Sequence, residues 1–328
     1  MRALVTGATG CVGANVAEAA VEAGYEVRAM RRATSSLAAL DGLDVEMVTA
    51  DLLDTNSLAE AVGGCDLVFH CAGIAQYWRN HPHRIYAVNV VGTRNLLRAA
   101  LDAGVDRVVF TSSVAVLGVP ENRGDVLDET SDFNLSPHRF HYGYSKKLGE
   151  QAVDWAIGEG LDAVIVNPAT IIGQRDVHFV GGEILRAAAR GWTLLAPSGG
   201  MGIVDAESVG IGHVLAAEQG RTGERYILNG ANVSHRRLLT LVADVVGRGR
   251  PVAVLPRLLE RLLLVAMRGY ETLGGSRLPV SSSQWALSAH ALYFDGSKAA
   301  RELGFESASL AEAVEAAWQW YRARGLLV

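Results

Sequence analysis

The sequence predicts an α/β fold: a doubly wound parallel sheet with helices on both faces, followed by a smaller C-terminal substrate lobe. Three observations carry this. Short apolar runs alternate with helical patterns through the first half of the 328 residues. Those runs are apolar at nearly every position, as strands covered on both faces are. A glycine-rich turn, TGATGCVG (Thr6 to Gly13), separates the first run from the first helix.

In order, RALVT reads as a strand and GANVAEAAVEAG, closed by Gly24, as a helix. EVRAM is the second strand and DVEMVTAD the third, followed by a helix from Thr55 to Val62. DLVFHCAG is the fourth strand and leads into a helix around VVGTRNLLRAALDAG. RVVFTSS is the fifth, with a helix from about Gly143 to Ile157, and DAVIVNPAT the sixth. After Thr170 the rhythm loosens. Helical pieces (Gly182 to Arg190, Glu207 to Gln219) mix with short strands (GIVD, RYILNG), and SLAEAVEAAWQWYRARG closes the chain as an amphipathic helix. The expected division is residues 1–170 as the nucleotide-binding domain. Residues 171–328 are mainly a substrate lobe, with segments returning to the main sheet.

At 49% hydrophobic and 20% charged, the chain can bury a large core. A net charge of -5 gives no basic excess, so nucleic acid is not an expected partner. Cys11, Cys65 and Cys71 form neither a disulfide framework nor a metal set, and suit a reducing cytoplasm. None of the nine histidines joins a metal pattern. No signal-peptide pattern precedes the first strand. The most apolar segment, PRLLERLLLVAMRGY, is interrupted by Glu260 and Arg261 and is too short to span a bilayer. The expected location is cytoplasmic.

The glycine loop lies between a strand and a helix, where a pyrophosphate-binding turn is found. Gly7 can turn tightly, Gly10 can admit a pyrophosphate, and Gly13 can let helix and strand pack closely. The helix would aim its free N–H groups at the anion. At the end of the second strand an NAD-binding chain places an acid for the ribose. Here Met30 is followed by Arg31 and Arg32, whose planar cations suit a 2′-phosphate. NADP is therefore expected over NAD, which stays possible. Asp51 and Leu52 would border the adenine. In YGYSKK, Tyr142 and Lys146 stand four apart and share a helix face. A nearby ammonium would lower the phenol's pKa from ~10 towards neutrality. FTSSVAV ends the fifth strand, where Ser113 can bond a substrate carbonyl; Ser112 is its support or its alternative. A helix cap is the plainer role for such a serine.

TGATGCVG, DLVFHCAG, NVVGTRNLL, VVFTSS, YGYSKK, VNPATIIG and DGSKAARELGF occur in this order along the chain. Together they resemble the extended short-chain dehydrogenase/reductase family, also called the NAD-dependent epimerase/dehydratase family. Within it the chain is similar to dihydroflavonol reductase-like, 3β-hydroxysteroid dehydrogenase-like and hopanoid-associated sugar epimerase-like members. The resemblance implies a Rossmann-type fold and a catalytic trio of Ser113, Tyr142 and Lys146. Asn89 matches a family asparagine near the fourth helix. The implied cofactor set is Gly7, Thr9, Gly10, Cys11, Val12 and Gly13 of the loop, with Arg31, Arg32, Asp51 and Leu52. Cys71, Ala72, Gly73 and Lys146 join it, and Pro168, Ala169 and Thr170 would pass beside the nicotinamide. Two positions depart from the nucleotide-sugar epimerases. Arg31 stands where those enzymes usually carry an acid, and Asn167 where they often carry an arginine.

The leading expectation is NADP-dependent reduction of a ketone or aldehyde of a small, fairly apolar substrate. The alternative is a nucleotide-sugar epimerase or dehydratase that recycles its cofactor in place. A third reading, a non-catalytic NADP sensor, would need the loop but not the trio. Substrate walls are expected at Ile74, Gln76, Tyr77, Tyr144, His178 and Trp192. The stripe Leu258, Leu259, Leu262, Leu263 and Met267 would face the cleft, the core or a dimer contact. A homodimer is expected through the helices at 92–103 and 143–157, with Leu96, Leu97, Leu148, Ala152 and Trp155 as its apolar surface. His138 and His141 lie near Tyr142, and chance proximity in a polar loop explains them as well as a role would.

Overall fold

The computed structural model describes residues 1–75, 81–122, 124–191, 195–248, 253–273 and 281–327. The first half contains strands β1 (Arg2–Thr6), β2 (Glu26–Arg31), β3 (Glu46–Thr49), β4 (Leu67–His70), β5 (Arg107–Thr111) and β6 (Ala163–Pro168). Between them lie helices α1 (Cys11–Glu22), α2 (Thr55–Val62), α3 (Pro82–Tyr86), α4 (Thr93–Ala103) and α5 (His141–Gly158). The second half runs β7 (Thr170–Ile172), α6 (Glu183–Ala189), β8 (Leu195–Ala196), β9 (Gly200–Asp205), α7 (Ala206–Gln219), β10 (Arg225–Leu228), β11 (Ala231–Ser234) and α8 (His235–Val246). It ends with β12 (Ala253–Val254), α9 (Arg257–Thr272), α10 (Ser282–Ser288), β13 (Ala291–Leu292), α11 (Ser297–Leu303) and α12 (Leu310–Ala323).

Seven parallel strands form the main sheet in the order β10-β6-β5-β4-β1-β2-β3. The order reverses between β1 and β4, so a crevice opens beyond their carboxyl ends, where such sheets bind ligands. The expected Rossmann-type sheet is present, and RYILNG supplies β10, its edge strand. GIVD belongs elsewhere: it lies in β9, the centre of a second sheet with β11, β13 and β7.

Some boundaries differ from those expected. The 90–104 helix is preceded by a π-helical turn at Ala87–Gly92. The third strand stops at Thr49, and α1 begins at Cys11, inside the glycine turn. Helices α3, α8, α10 and α11 lie outside the expected elements, although Ser234 and Gly247 cap α8 and a Ser281–Gln284 capping box opens α10.

Two clusters cover the sheet. One places Leu4, Val68 and Phe110 against Leu96, Leu97, Ala152 and Val153. The other packs Val5, Phe69 and Val164 against α1 and α7. The apolar surface expected on α4 and α5 is largely taken up within the protomer. Leu96, Leu97 and Ala152 are fully buried within the protomer, because α4 and α5 spend their apolar faces on their own sheet. Leu148 is half-buried, and Trp155 is exposed beneath the Arg98 guanidinium, 5.6 Å from its ring centre. The 258–267 stripe divides: Met267 alone is buried, and the four leucines are 41–69% exposed, so the core alternative holds only for Met267.

His213 fastens α7 beneath β5. Its Nδ1 lies 2.7 Å from the Val209 carbonyl, which only accepts, so Nδ1 carries the proton. Nε2 then accepts from the Thr111 hydroxyl at 2.7 Å. Burial pushes His213 down to about 4 and His70 down to about 3. An unfolded chain binds protons on both below ~6.5 while the folded chain does not, so stability falls with pH below that value. Urea titrations should show each histidine removing roughly 2 kcal/mol between pH 7 and pH 5. His213→Gln should flatten that part of the slope; an unchanged slope would show that His213 is not held neutral.

Candidate active site

The β1–α1 turn is shaped by contacts that exclude side chains. Gly7 has φ +65, and a Cβ there would stand 2.7 Å from the Ala72 backbone after β4. A Cβ on Gly13 would stand 2.3 Å from the Gly7 carbonyl oxygen. Gly10 differs: a Cβ there would meet only the Gly7 oxygen, at 3.4 Å, with open space beyond. Gly10 is the N-cap of α1, which has no side-chain cap and no acidic residue in its first turn. A bare helix N-terminus facing open space fits a dinucleotide's phosphates. Thr9 and Val12 are half-buried in the same turn. Cys11 lies against the Gln174 carbonyl at 3.7 Å, and burial pushes its thiol well above the ordinary range.

At the end of β2, Arg31 Nε is buried with no partner among the described residues, and Nη1 makes only a 3.5 Å bond to the Arg32 carbonyl. Arg32 is exposed. An uncommitted guanidinium here fits an anion. Asp51 is exposed and turns its carboxylate to the Leu53 N–H. Leu52 is 5% exposed, so its side chain belongs to the core beneath Gly92.

Helix α5 approaches the end of β5 because Gly143 has no side chain: a Cβ there would lie 2.6 Å from the Ala115 carbonyl oxygen. This brings Tyr142 against Ser113, whose hydroxyl hydrogen-bonds the phenol. Ser113 also accepts from the Ala115 N–H at 3.2 Å, so it serves as a cap as well. Ser112 is buried and its hydroxyl has no partner among the described residues. One turn on, Lys146 is 6% exposed. Its Nζ donates to the Thr111 carbonyl at 2.6 Å and lies 4.9 Å from the Phe110 ring centre. Burial lowers its pKa to about 8.

The phenol departs from expectation. Burial raises Tyr142 above its ordinary value, the Ser113 hydrogen bond offsets part of this, and Lys146 does not enter. The ammonium is turned to the Thr111 carbonyl instead. Cys71 is pushed up to about 12 by burial, Ala72 donates to the Thr6 hydroxyl, and Gly73 faces Lys146 Nζ. Pro168 and Ala169 are buried at the end of β6, and Thr170 is half-buried at the start of β7.

Among the expected walls, Ile74 is half-buried, with its N–H held by Asn89 Oδ1 at 2.7 Å. Tyr144 packs against Phe133 and Tyr86, with ring centres 5.8 and 6.5 Å away. His178 is exposed on the loop after β7. Gln76, Tyr77 and Trp192 lie outside the described residues. His141 contacts the Tyr86 hydroxyl at 3.2 Å.

Sequence reading missed two hydrogen-bonded networks. In the first, Ala72 N–H donates to Thr6 Oγ1, which lies 2.8 Å from His70 Nδ1. His70 Nε2 lies 2.9 Å from Thr93 Oγ1, which donates to the Asn89 carbonyl. Since Thr93 gives its proton to Asn89, it accepts from His70, and Thr6 donates to His70. Asn89 Nδ2 then reaches Ser145 Oγ and the Ile74 carbonyl. In the second, Asn167 donates to Glu150 at 2.8 Å and to the Ser113 carbonyl at 3.2 Å, and Arg225 closes on Glu150. A histidine ending an otherwise apolar strand was the available signal for the first network. Nothing local marked the second.

Residues 3–227 match the model of the NAD dependent epimerase/dehydratase family, and the chain belongs to that family. A Synechocystis relative provisionally named dihydroflavonol 4-reductase is 35% identical over 98% of this chain and 94% of its own. Sterol demethylase protein B of Methylococcus capsulatus is 34% identical over the full length of both. Among solved structures, gox2253 is similar with a TM-score of 0.87 and 34% identity, covering 100% of this chain and 99% of that one.

The glycines make unequal demands. Gly13→Ala should cost on the order of 2 kcal/mol, because the atoms its methyl would meet are backbone and cannot swing aside. Gly10→Ala should stay within about 1 kcal/mol of the parent in stability. Both should lose dinucleotide affinity. Thermal melting with cofactor titration by fluorescence checks the pair, and equal melting points would refute the assignment.

Proposed function

We propose that the protein is an NADP-dependent reductase of a ketone or aldehyde on a small, fairly apolar substrate. The observation that carries this is the Ser113–Tyr142 hydrogen bond at the carboxyl edge of the sheet, one helical turn from buried Lys146. An acid for reduction must hold its proton at neutral pH, and burial keeps the Tyr142 phenol protonated. The nicotinamide supplies the hydride when bound. Ser113 orients the substrate oxygen, Tyr142 passes its proton to it, and the Lys146 ammonium holds the nicotinamide ribose. The reductase named among the relatives supports the direction. Asn167 supports it too, since it is wholly buried and tied to Glu150, so it offers no cation to a sugar diphosphate.

The NADP assignment rests on Arg31, whose Nε has no partner among the described residues, and on exposed Arg32 beside it. A charge-assisted bond contributes about 1.5–3 kcal/mol, or roughly tenfold to a hundredfold in affinity. NADPH should bind tighter than NADH by that factor, and Arg31→Asp should reverse the order. Equal affinities in the parent remove the argument for NADP and favour the epimerase reading.

Purified protein with NADPH, offered apolar ketones, aldehydes and nucleotide sugars in parallel, tests the reaction class. Tyr142→Phe should lose most turnover and keep cofactor affinity; turnover within a few-fold of the parent would show that Tyr142 is not the acid. Lys146 is charged below about 8 and neutral above it. Reductase activity should therefore be retained below that pH and fall above it, read from the pH profile of kcat/KM.

A further inference from the structure

Helix α9 presents its apolar side outward. Its inward edge is Glu260, Leu264, Met267 and Glu271, at spacings that share one face. Glu260 is 5% exposed and accepts from the Ser198 N–H at 2.6 Å and the Ser198 hydroxyl at 2.7 Å. Its backbone carbonyl accepts from Trp285 Nε1 at 3.2 Å. Glu271 accepts from the N–H and hydroxyl of Ser282, the first residue of α10. Both carboxylates of the helix are thus used inside the protein.

The opposite face carries a ridge of Leu258, Leu262, Val265 and Leu273, which are 57–90% exposed. Arg257, Arg261 and Arg268, four and seven residues apart, run along one edge of that ridge. All three are exposed and have no ion-pair partner among the described residues. Sixteen residues of helix give a ridge roughly 24 Å long. Among the described residues no helix is long and apolar enough to cross a membrane.

We propose that this face docks the protein on the surface of a bilayer containing anionic lipid. The leucine ridge enters the boundary between headgroups and acyl chains, and the arginine edge lies among the lipid phosphates. Charge decides between occupants. Whatever covers the ridge must bring anions to its edge, and a second copy of this helix has both carboxylates turned inward. A bilayer offers apolar depth and negative charge side by side. Arg268, at the end of the arginine edge, also borders a cavity of about 360 Å³ that Glu271, Ser282 and the His138–Phe140 run leading into α5 line. The docking stands without the reductase reading, because it is measured with no substrate or cofactor.

The test is co-sedimentation of the full chain with vesicles of phosphatidylglycerol and phosphatidylcholine, and with phosphatidylcholine alone. The expected result is binding to the anionic vesicles that weakens with salt. Arg257→Gln/Arg261→Gln/Arg268→Gln should weaken it on the order of a hundredfold, at about fivefold per arginine. Leu258→Gln/Leu262→Gln/Val265→Gln should abolish it, with melting temperatures near the parent's because these side chains are exposed. Absence of parent binding overturns the proposal, as does binding that survives the leucine substitutions. A dimer that the same substitutions dissociate, without vesicle binding, overturns it in favour of a second copy.

Discussion

The carboxyl edge of the sheet depends on a backbone contact that leaves no room for a side chain. The Gly13 backbone lies against the Gly7 carbonyl, and Gly7 lies against the backbone at Ala72. These two contacts set the distances between β1, α1 and β4. Helix α1 can then begin at the sheet's edge, with Gly10 facing open space and no side chain competing for its first N–H groups. A side chain at either position would push α1 outward and carry its N-terminus away from the crevice between β1 and β4.

On this frame, buried polar groups place Ser113 and Tyr142. Polar atoms enclosed in a low-dielectric interior are costly unless paired, so a completed network holds its members in one arrangement. The chain through Thr6, His70 and Thr93 binds β1 to β4 and α4, and ends on Asn89, whose side chain holds Ile74 and α5. The Glu150–Asn167 pair holds the Ser113 carbonyl from the other side. Ser113 and Tyr142 therefore meet through elements braced from two directions.

The parts legible in sequence were those written in local pattern. Alternating apolar runs gave the sheet, the glycine spacing gave the turn, and the Tyr142–Lys146 spacing gave a shared helix face. Errors came where long-range contacts decide. The apolar stripes of α4, α5 and α9 look alike in sequence, yet the first two are buried on their own sheet and the third faces outward. Glu260 and Glu271 explain the difference, because Ser198, 62 residues before Glu260, and Ser282, eleven residues after Glu271, draw them inward. The Tyr142 phenol was misjudged because the spacing implies a neighbouring ammonium but does not show that Thr111 holds it.

The His70 chain also has a direction. It begins at an amide of Ala72, which can only donate, and ends at a carbonyl of Asn89, which can only accept. Each hydrogen between them has one possible place, so the neutral ring has a single tautomer, its N–H end towards Asn89 and its lone pair towards Thr6. The imidazole is a fixed dipole in the floor of the crevice. Because Thr6 and Thr93 are enclosed, their hydroxyl hydrogens trade with water at the rate at which the domain opens, not the rate at which a side chain turns.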